Sequence, residues 1–150
     1  MCVLRVTGED FDPDGPRSLS GLTPCNVFRK DELRSALRPD GPRYKMSGFT
    51  VDVSRGSRAN LVEQVSDAIA FLNQHGTAIA GLRSFPGVKD VRLDFPVVLR
   101  IDRETVMAQF DYFPPELVSL AGTLGLGIEI SIYPVDFEEL AQGGARRFTS

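Results

Sequence analysis

Hydrophobic and polar residues alternate in five stretches of this chain, which is the pattern of half-buried β-strands. The longest alternation places six apolar side chains on one face between Val91 and Ile101, with Pro96 and charged residues on the other face. Because Pro96 has no amide hydrogen, the pattern predicts a sheet edge or a bulge at that position. The five predicted strands are Cys2–Thr7, Phe49–Val53, Val91–Ile101, Thr105–Tyr112 and Leu126–Tyr133.

Two further stretches carry apolar residues at helical spacing. The first predicts a helix from Leu61 to about Arg83, opened by Asn60 and Glu63 in a pattern that resembles a capping box. Gly76 interrupts its apolar stripe, so we expect a kink or a break there. The second helix begins at the Pro114–Pro115 pair, since proline suits the first helical turn.

The order of these elements from Phe49 onward predicts an α+β fold. Strand, helix, strand, strand, helix, strand is the split βαβ arrangement of ferredoxin-like folds. We therefore expect a mainly antiparallel sheet with two helices on one face, and with Cys2–Thr7 as an extra N-terminal strand. The other face of the sheet is expected to be polar or to be covered by the irregular residues that follow the first strand.

Those irregular residues, 11–47, form a long excursion that is rich in proline and glycine and holds at most one short helix, Asp31–Arg38. A connection of this length is uncommon in a compact domain and is usually functional or mobile. A chain of 150 residues favours one domain, which we place at residues 1–134, followed by a C-terminal tail at residues 135–150. The last eight residues of the tail, GGARRFTS, have the composition of a frayed terminus.

Charge and hydropathy narrow the possible partners. A net charge of −3 argues against nucleic acid, whose phosphates are bound by a surplus of lysine and arginine. No apolar stretch approaches the ~20 residues that span a bilayer, so no membrane partner is expected. The N-terminus lacks the pattern of a signal peptide, and the expected location is the cytoplasm.

Basic residues accumulate in the excursion in spite of the acidic composition of the whole chain. Between Arg29 and Lys45 there are six basic residues and three acidic ones, an excess of three positive charges. Such a segment is either a solvated loop or a surface for an acidic protein or a small anion. The candidate partner- or anion-binding residues are Arg29, Lys30, Arg34, Arg38, Arg43 and Lys45.

Three aspartates at alternate positions, Asp10, Asp12 and Asp14, resemble the start of a calcium loop. The pattern then fails, because the twelfth position of the loop is Gly21 instead of a bidentate glutamate. The favoured interpretation is a turn at the exit of the first strand, in which Asp12 caps the following residues. The three aspartates remain weak candidates for a metal site.

The sequence contains no recognisable catalytic constellation. Cys25 would need an adjacent base to act as a nucleophile, and the only histidine is His75. A zinc site built from Cys2, Cys25 and His75 is possible by count alone. No glycine-rich phosphate loop is present in the order that a dinucleotide site needs, so we expect no cofactor.

Three segments, GEDFDPDG, CNVFRKDE and PELVSLAGTLGLGIEISIYP, together resemble the bacterial family catalogued as domain of unknown function 4279. The resemblance covers about Val3 to Pro134, implies a small intracellular bacterial domain, and carries over no catalytic residue. In similar proteins the Asp-Pro-Asp segment often opens a helix. Here Gly15 and Pro16 follow that segment and disfavour such a helix. Shared placement makes four residues candidates for whatever the family does: Asp10, Asp12, Arg29 and Lys30.

Two functional hypotheses follow from different classes. The leading one is a non-enzymatic module that binds a protein partner, or itself as a homodimer, through the basic excursion. The alternative is a protein that binds a small anion or a metal ligand through the Asp10, Asp12 and Asp14 turn and the nearby arginines. In that alternative an enzymatic activity stays open.

Overall fold

The computed structural model of the protein describes residues 1–16, 21–102 and 104–134. Their β-strands form one five-stranded sheet in the order β2-β3-β1-β4-β5. The strands are β1 Val3–Gly8, β2 Asn26–Phe28, β3 Ser47–Asp52, β4 Asp90–Val98 and β5 Gly127–Tyr133. Two helices lie wholly within the described ranges, α1 Leu61–Arg83 and α2 Pro115–Leu124. A third helical segment begins at Asp14 and is described as far as Pro16.

The sheet is mostly antiparallel, as the sequence predicts. β1 pairs antiparallel with both β3 and β4, and β2 pairs antiparallel with β3, whereas β4 and β5 are parallel. The α+β class is therefore confirmed, while the finer ferredoxin-like assignment is not. β1, which the sequence predicted as an extra strand outside the split βαβ arrangement, lies at the centre of the sheet.

The predicted strand Thr105–Tyr112 is wrong, because residues 104–112 have no strand conformation. β4 ends at Val98 and is paired with β1 on one side and β5 on the other, so a returning strand has no free edge beside it. The side chains that were expected to face a core are instead exposed, with Phe110 at 88% and Tyr112 at 72%. Alternation in sequence predicts an extended segment only where a partner edge exists.

Pro96 fits inside β4 because β1 is too short to reach it. The register pairs Val3, the first residue of β1, with Asp94, so Pro96 lies beyond the end of that ladder. On its other side Pro96 is aligned with Ser131 of β5. The missing amide hydrogen therefore leaves the β1–β4 ladder intact, because on that side Pro96 lies at a local edge of the sheet and no bulge is needed.

Helix α1 has the predicted bounds and the predicted cap. The Asn60 side chain accepts a hydrogen bond from the backbone N–H of Glu63 at 3.1 Å, and its amide donates to the Glu63 carboxylate at 3.0 Å. The expected break at Gly76 is absent, since the helix continues unbroken through it to Arg83. A single glycine costs about 1 kcal/mol in a helix, and the buried residues Ile79 and Leu82 beyond it offset that cost.

The core lies between the two long helices and one face of the sheet, which confirms the prediction that both helices cover the same face. Both helices contribute buried apolar side chains to the cluster that contains the inward residues of the central strands. The most deeply buried strand residues are Leu4, Val6, Phe49, Leu93, Phe95 and Val97. The opposite side of the sheet carries the alternate residues and is called here the open face. In the described part of the chain, no helix is long and apolar enough to cross a membrane.

The turn after β1 has the geometry of a helix start. The Asp12 carboxylate accepts a hydrogen bond from the backbone N–H of Asp14 at 3.1 Å, and the helical segment begins there. Gly15 and Pro16 therefore do not prevent a helix, contrary to expectation, because a proline in the first turn loses no intrahelical hydrogen bond. A Cβ at Gly15 would lie 2.7 Å from the tip of the Phe85 ring, so a larger residue there would require that ring to move.

Residues 29–46, called here the arm, do not contain the predicted helix Asp31–Arg38. They fold back on themselves, with the Asp31 N–H donating to the Tyr44 carbonyl at 2.8 Å and an antiparallel bridge between Leu33 and Arg43. Asp31 has a φ of 68°, which ends any helix at its first residue. The tail at residues 135–150, including the stretch that was expected to be frayed, lies outside the described residues.

Candidate functional site

A pocket of about 400 Å³ lies on the open face of the sheet. Its floor is made by side chains of four strands, and its wall is made by the arm. The floor residues are Arg5, Thr7, Asn26, Phe28, Thr50 and Arg92, and the wall residues are Arg34, Tyr44, Lys45 and Met46. We call this the open-face pocket. It lies where the sequence predicted a polar face or a cover formed by the excursion.

Strand register places the polar floor residues in one row across the sheet. Arg5 of β1 is aligned with Thr50 of β3 on one side and with Arg92 of β4 on the other. Asn26 of β2 is aligned with Thr50 and extends the row. Because neighbouring strands are about 4.8 Å apart, Arg5 and Arg92 are direct cross-strand neighbours, and like charges in that arrangement are destabilising.

Carboxylates hold both arginines from the side. Arg5 donates to Asp94 at 2.8 Å, and Asp94 is buried and also accepts from the Ser131 hydroxyl at 2.6 Å. Arg92 donates to Asp90 at 2.5 Å and to Glu129 at 3.2 Å. The hydrogen bond with Asp90 is the main cause that raises the pKa of Arg92, so this guanidinium stays charged. An arginine has five N–H donors, and these contacts use only part of them.

Two polar atoms of the floor lack a hydrogen-bond partner in the described part of the chain. They are Nε of Arg5 and the hydroxyl oxygen of Thr7, and both are buried. Thr7 as a whole is only 5% exposed. Leaving a buried polar group unpaired costs about 1–3 kcal/mol. Each of these atoms has almost no accessible surface, so an acceptor in the pocket reaches it only after the side chains over it shift.

The wall of the pocket is fixed to the sheet by aromatic stacking. The rings of Phe28 and Tyr44 are stacked with their centroids 4.4 Å apart, and the Arg34 guanidinium lies 5.6 Å from the Tyr44 centroid. Phe28 lies across Gly48 of β3, where an added Cβ would come within 2.7 Å of the ring. The described lining residues include four cations and no acid, so the pocket is locally basic within an acidic protein.

The structure divides the six basic residues that the sequence singled out. Arg34 and Lys45 line the pocket. Arg29 is held by Asp14 at 2.5 Å, and Arg43 donates to the Asp31 carbonyl at 2.6 Å. The remaining two, Lys30 and Arg38, are exposed outside the lining.

The sequence patterns did not identify four polar residues of the central floor as site residues: Arg5, Thr7, Thr50 and Arg92. Each stands at a polar position of a predicted strand, which is the only signal that the sequence gives for them. Their alignment depends on which strands are neighbours. That pairing is not visible in a periodic pattern.

Two of the aspartates after β1 lie next to an arginine of the arm. The Arg29 guanidinium bonds Asp14 and lies 3.8 Å from Asp12, so the positive charge opposite these acids is supplied by the arm. Among the described residues, no cluster of three or more acidic, histidine or cysteine side chains could hold a metal ion. Asp10 is exposed.

The thiols and the histidine are not arranged as catalytic groups. The Cys25 thiol contacts the hydroxyl of Thr50 at 3.2 Å and not His75, whose ring lies 4.7 Å from Phe71 on α1. Desolvation raises the pKa of Cys25 and, more strongly, that of the fully buried Cys2. Both thiols therefore stay protonated near neutral pH, which is unfavourable for nucleophilic attack.

A family model described as Domain of unknown function (DUF4279) matches residues 1–135 of the chain. The matched region contains all five strands and both long helices, so the open-face pocket lies within it. No curated protein and no solved structure matches the chain.

Proposed function

The chain belongs to the DUF4279 family, and from its site we propose that it binds a small anionic ligand in the open-face pocket. One observation carries the proposal: Arg5 and Arg92 face each other across the β1–β4 ladder, beside the unpaired Arg5 Nε and Thr7 hydroxyl. Asp94 on Arg5, and Asp90 and Glu129 on Arg92, offset the repulsion between these two cations. Both arginines keep N–H donors that the carboxylates do not use, and an anion between them would accept from those donors.

The free energy for binding would come from charged hydrogen bonds. Each hydrogen bond to a charged group contributes about 1.5–3 kcal/mol, and guanidinium groups can grip an oxyanion in a bidentate way. Asp90 and Asp94 already hold the two arginines, so the ligand need not order long free side chains. The proposal is of binding alone and includes no chemical step.

The test is a melting curve and a calorimetric titration with orthophosphate, sulfate and acetate at constant ionic strength. A ligand at ~100 times its dissociation constant adds about 2.7 kcal/mol of stability. Thr7→Val removes the unpaired hydroxyl at nearly constant volume, and Arg92→Gln removes one of the opposed charges. Both should weaken the anion response, whereas Arg38→Gln, on the arm outside the pocket, should not. No response to any anion, or an equal response in all variants, would refute the proposal.

A second candidate function is docking of the arm on an acidic protein surface, or on a second copy of the chain. The specific observation is Leu37, which is 93% exposed on an arm that carries an excess of three positive charges. Sedimentation of the wild type and of a Leu37→Asp variant, alone and with proteins captured from a lysate, tests it. Retention of every partner and an unchanged mass in the variant would contradict a role for the arm.

A further inference from the structure

We infer that the ligand of the open-face pocket carries two separated anionic groups, as dicarboxylates and phosphorylated carboxylic acids do. The inference rests on the proposed function and specifies the class of ligand. It follows from the distribution of positive charge in the pocket, which has two poles. The floor pole is Arg5 and Arg92, and the wall pole is Arg34 and Lys45.

The floor pole is built to hold one anionic group in a fixed place. Asp94 and Asp90 fix the arginines at 2.8 Å and 2.5 Å from the side, and Asp94 is itself buried. Two guanidinium groups and the Thr7 hydroxyl can supply donors to a single carboxylate or phosphate. Asp94, Asp90 and Glu129 already balance the charge of the two arginines, so the bound group interacts with the N–H donors that remain free.

The wall pole is not neutralised by the protein. In the described part of the chain, neither Arg34 nor Lys45 forms an ion pair, in contrast to Arg29, which is held by Asp14. The Arg34 guanidinium is held near the Tyr44 ring at 5.6 Å, which keeps it at the wall of the pocket. A ligand with one anionic group would leave these two cations without a counter-charge.

The pocket residues between the poles are uncharged. Asn26 and Thr50 lie in the same row as Arg5 and present uncharged polar groups, while the Phe28–Tyr44 stack offers an apolar surface. A volume of about 400 Å³ is near the lower end of the range for small-molecule pockets. The pocket therefore fits a linker of a few carbon atoms with an anionic group at each end.

The experiment is isothermal titration at constant ionic strength and pH with acetate, orthophosphate, malonate, succinate, glutarate and adipate. Orthophosphate carries its charge on one centre, so it separates total charge from spacing. At least one dicarboxylate should bind about 10-fold or more tightly than acetate or orthophosphate, which corresponds to about 1.4 kcal/mol. The affinity should pass through a maximum as the linker is lengthened.

Two sets of variants test which residues bind each anionic group of the ligand. The double variant Arg34→Gln with Lys45→Gln should reduce the affinity of the best dicarboxylate to that of acetate and leave acetate unchanged. Thr7→Val should weaken all the ligands, and Arg38→Gln should weaken none. Melting curves without ligand show whether each variant is folded.

The outcomes separate this inference from the proposed function. If acetate or orthophosphate binds as tightly as every dicarboxylate and the wall variant has no effect, the pocket has one pole and the inference is overturned, while anion binding stands. If no anion binds at all, the proposed function fails and this inference fails with it.

Discussion

Replacing Asp94 with asparagine is the sharpest test of the claim that this buried carboxylate offsets the repulsion between Arg5 and Arg92. Asp94 is 4% exposed, and Arg5 donates to it at 2.8 Å. Asparagine keeps the shape and can still accept from Ser131, but it removes the negative charge and turns N–H groups toward Arg5. The variant therefore removes the ion pair and places a donor against the Arg5 donor at nearly constant shape.

The expected loss is about 2–3 kcal/mol in the free energy of unfolding. Breaking a fully buried ion pair costs about 3–5 kcal/mol, and the 38% exposure of the Arg5 side chain reduces that value by solvent screening. Asp90→Asn is the matched control on the same strand. Arg92 keeps Glu129 in that variant, and both partners are about one third exposed, so the cost should stay below about 1 kcal/mol.

Urea unfolding is the suitable assay, since a salt denaturant would screen the charges under test. Equal losses for Asp94→Asn and Asp90→Asn would refute the reasoning, because the burial of Asp94 would then not matter. If the opposed charges are the cause, a saturating anion should restore part of the stability that Asp94→Asn loses. A failure of every anion to do so would count against the same argument.

Three further predictions concern elements away from the pocket. Asn60→Ala removes the cap of α1 and should cost about 1 kcal/mol in urea unfolding, whereas Asn73→Ala, exposed in the middle of that helix, should cost nothing. Hydrogen bonds from the Thr105 hydroxyl and from backbone N–H groups lower the pKa of Asp102. The Asp102 carboxylate therefore stabilises the fold fully above the unfolded pKa of ~3.9, and this contribution is lost as the pH falls through the folded pKa. The difference in melting temperature between the wild type and Asp102→Asn should accordingly shrink from pH 6 to pH 3, and a constant difference would contradict the assignment. A thiol reagent at pH 8 should label Cys25 alone in the native protein and also Cys2 in urea; rapid native labelling of both would show that Cys2 is accessible.

The helices and the pocket differ in how far the sequence predicts them. The bounds of α1 were predictable because a cap at Asn60 and an apolar stripe act within a few residues of each other. The strand Thr105–Tyr112 was predicted wrongly because alternation does not reveal whether a neighbouring edge is free. The open-face pocket depends on the pairing of β1 with β4, and the register of strands so distant in sequence has no local signal.

The central position of β1 limits when the sheet can form during synthesis. Both neighbours of β1 leave the ribosome after it: β3 begins at Ser47 and β4 only at Asp90. At a synthesis rate of ~5–20 residues per second, the roughly 80 residues between β1 and β4 take about 4–16 s. During that interval a strand destined for the middle of the sheet has at least one unpaired edge, which is the kind of surface that promotes aggregation. A nascent chain interrupted before β4 is complete therefore lacks the pairing that joins the two halves of the sheet.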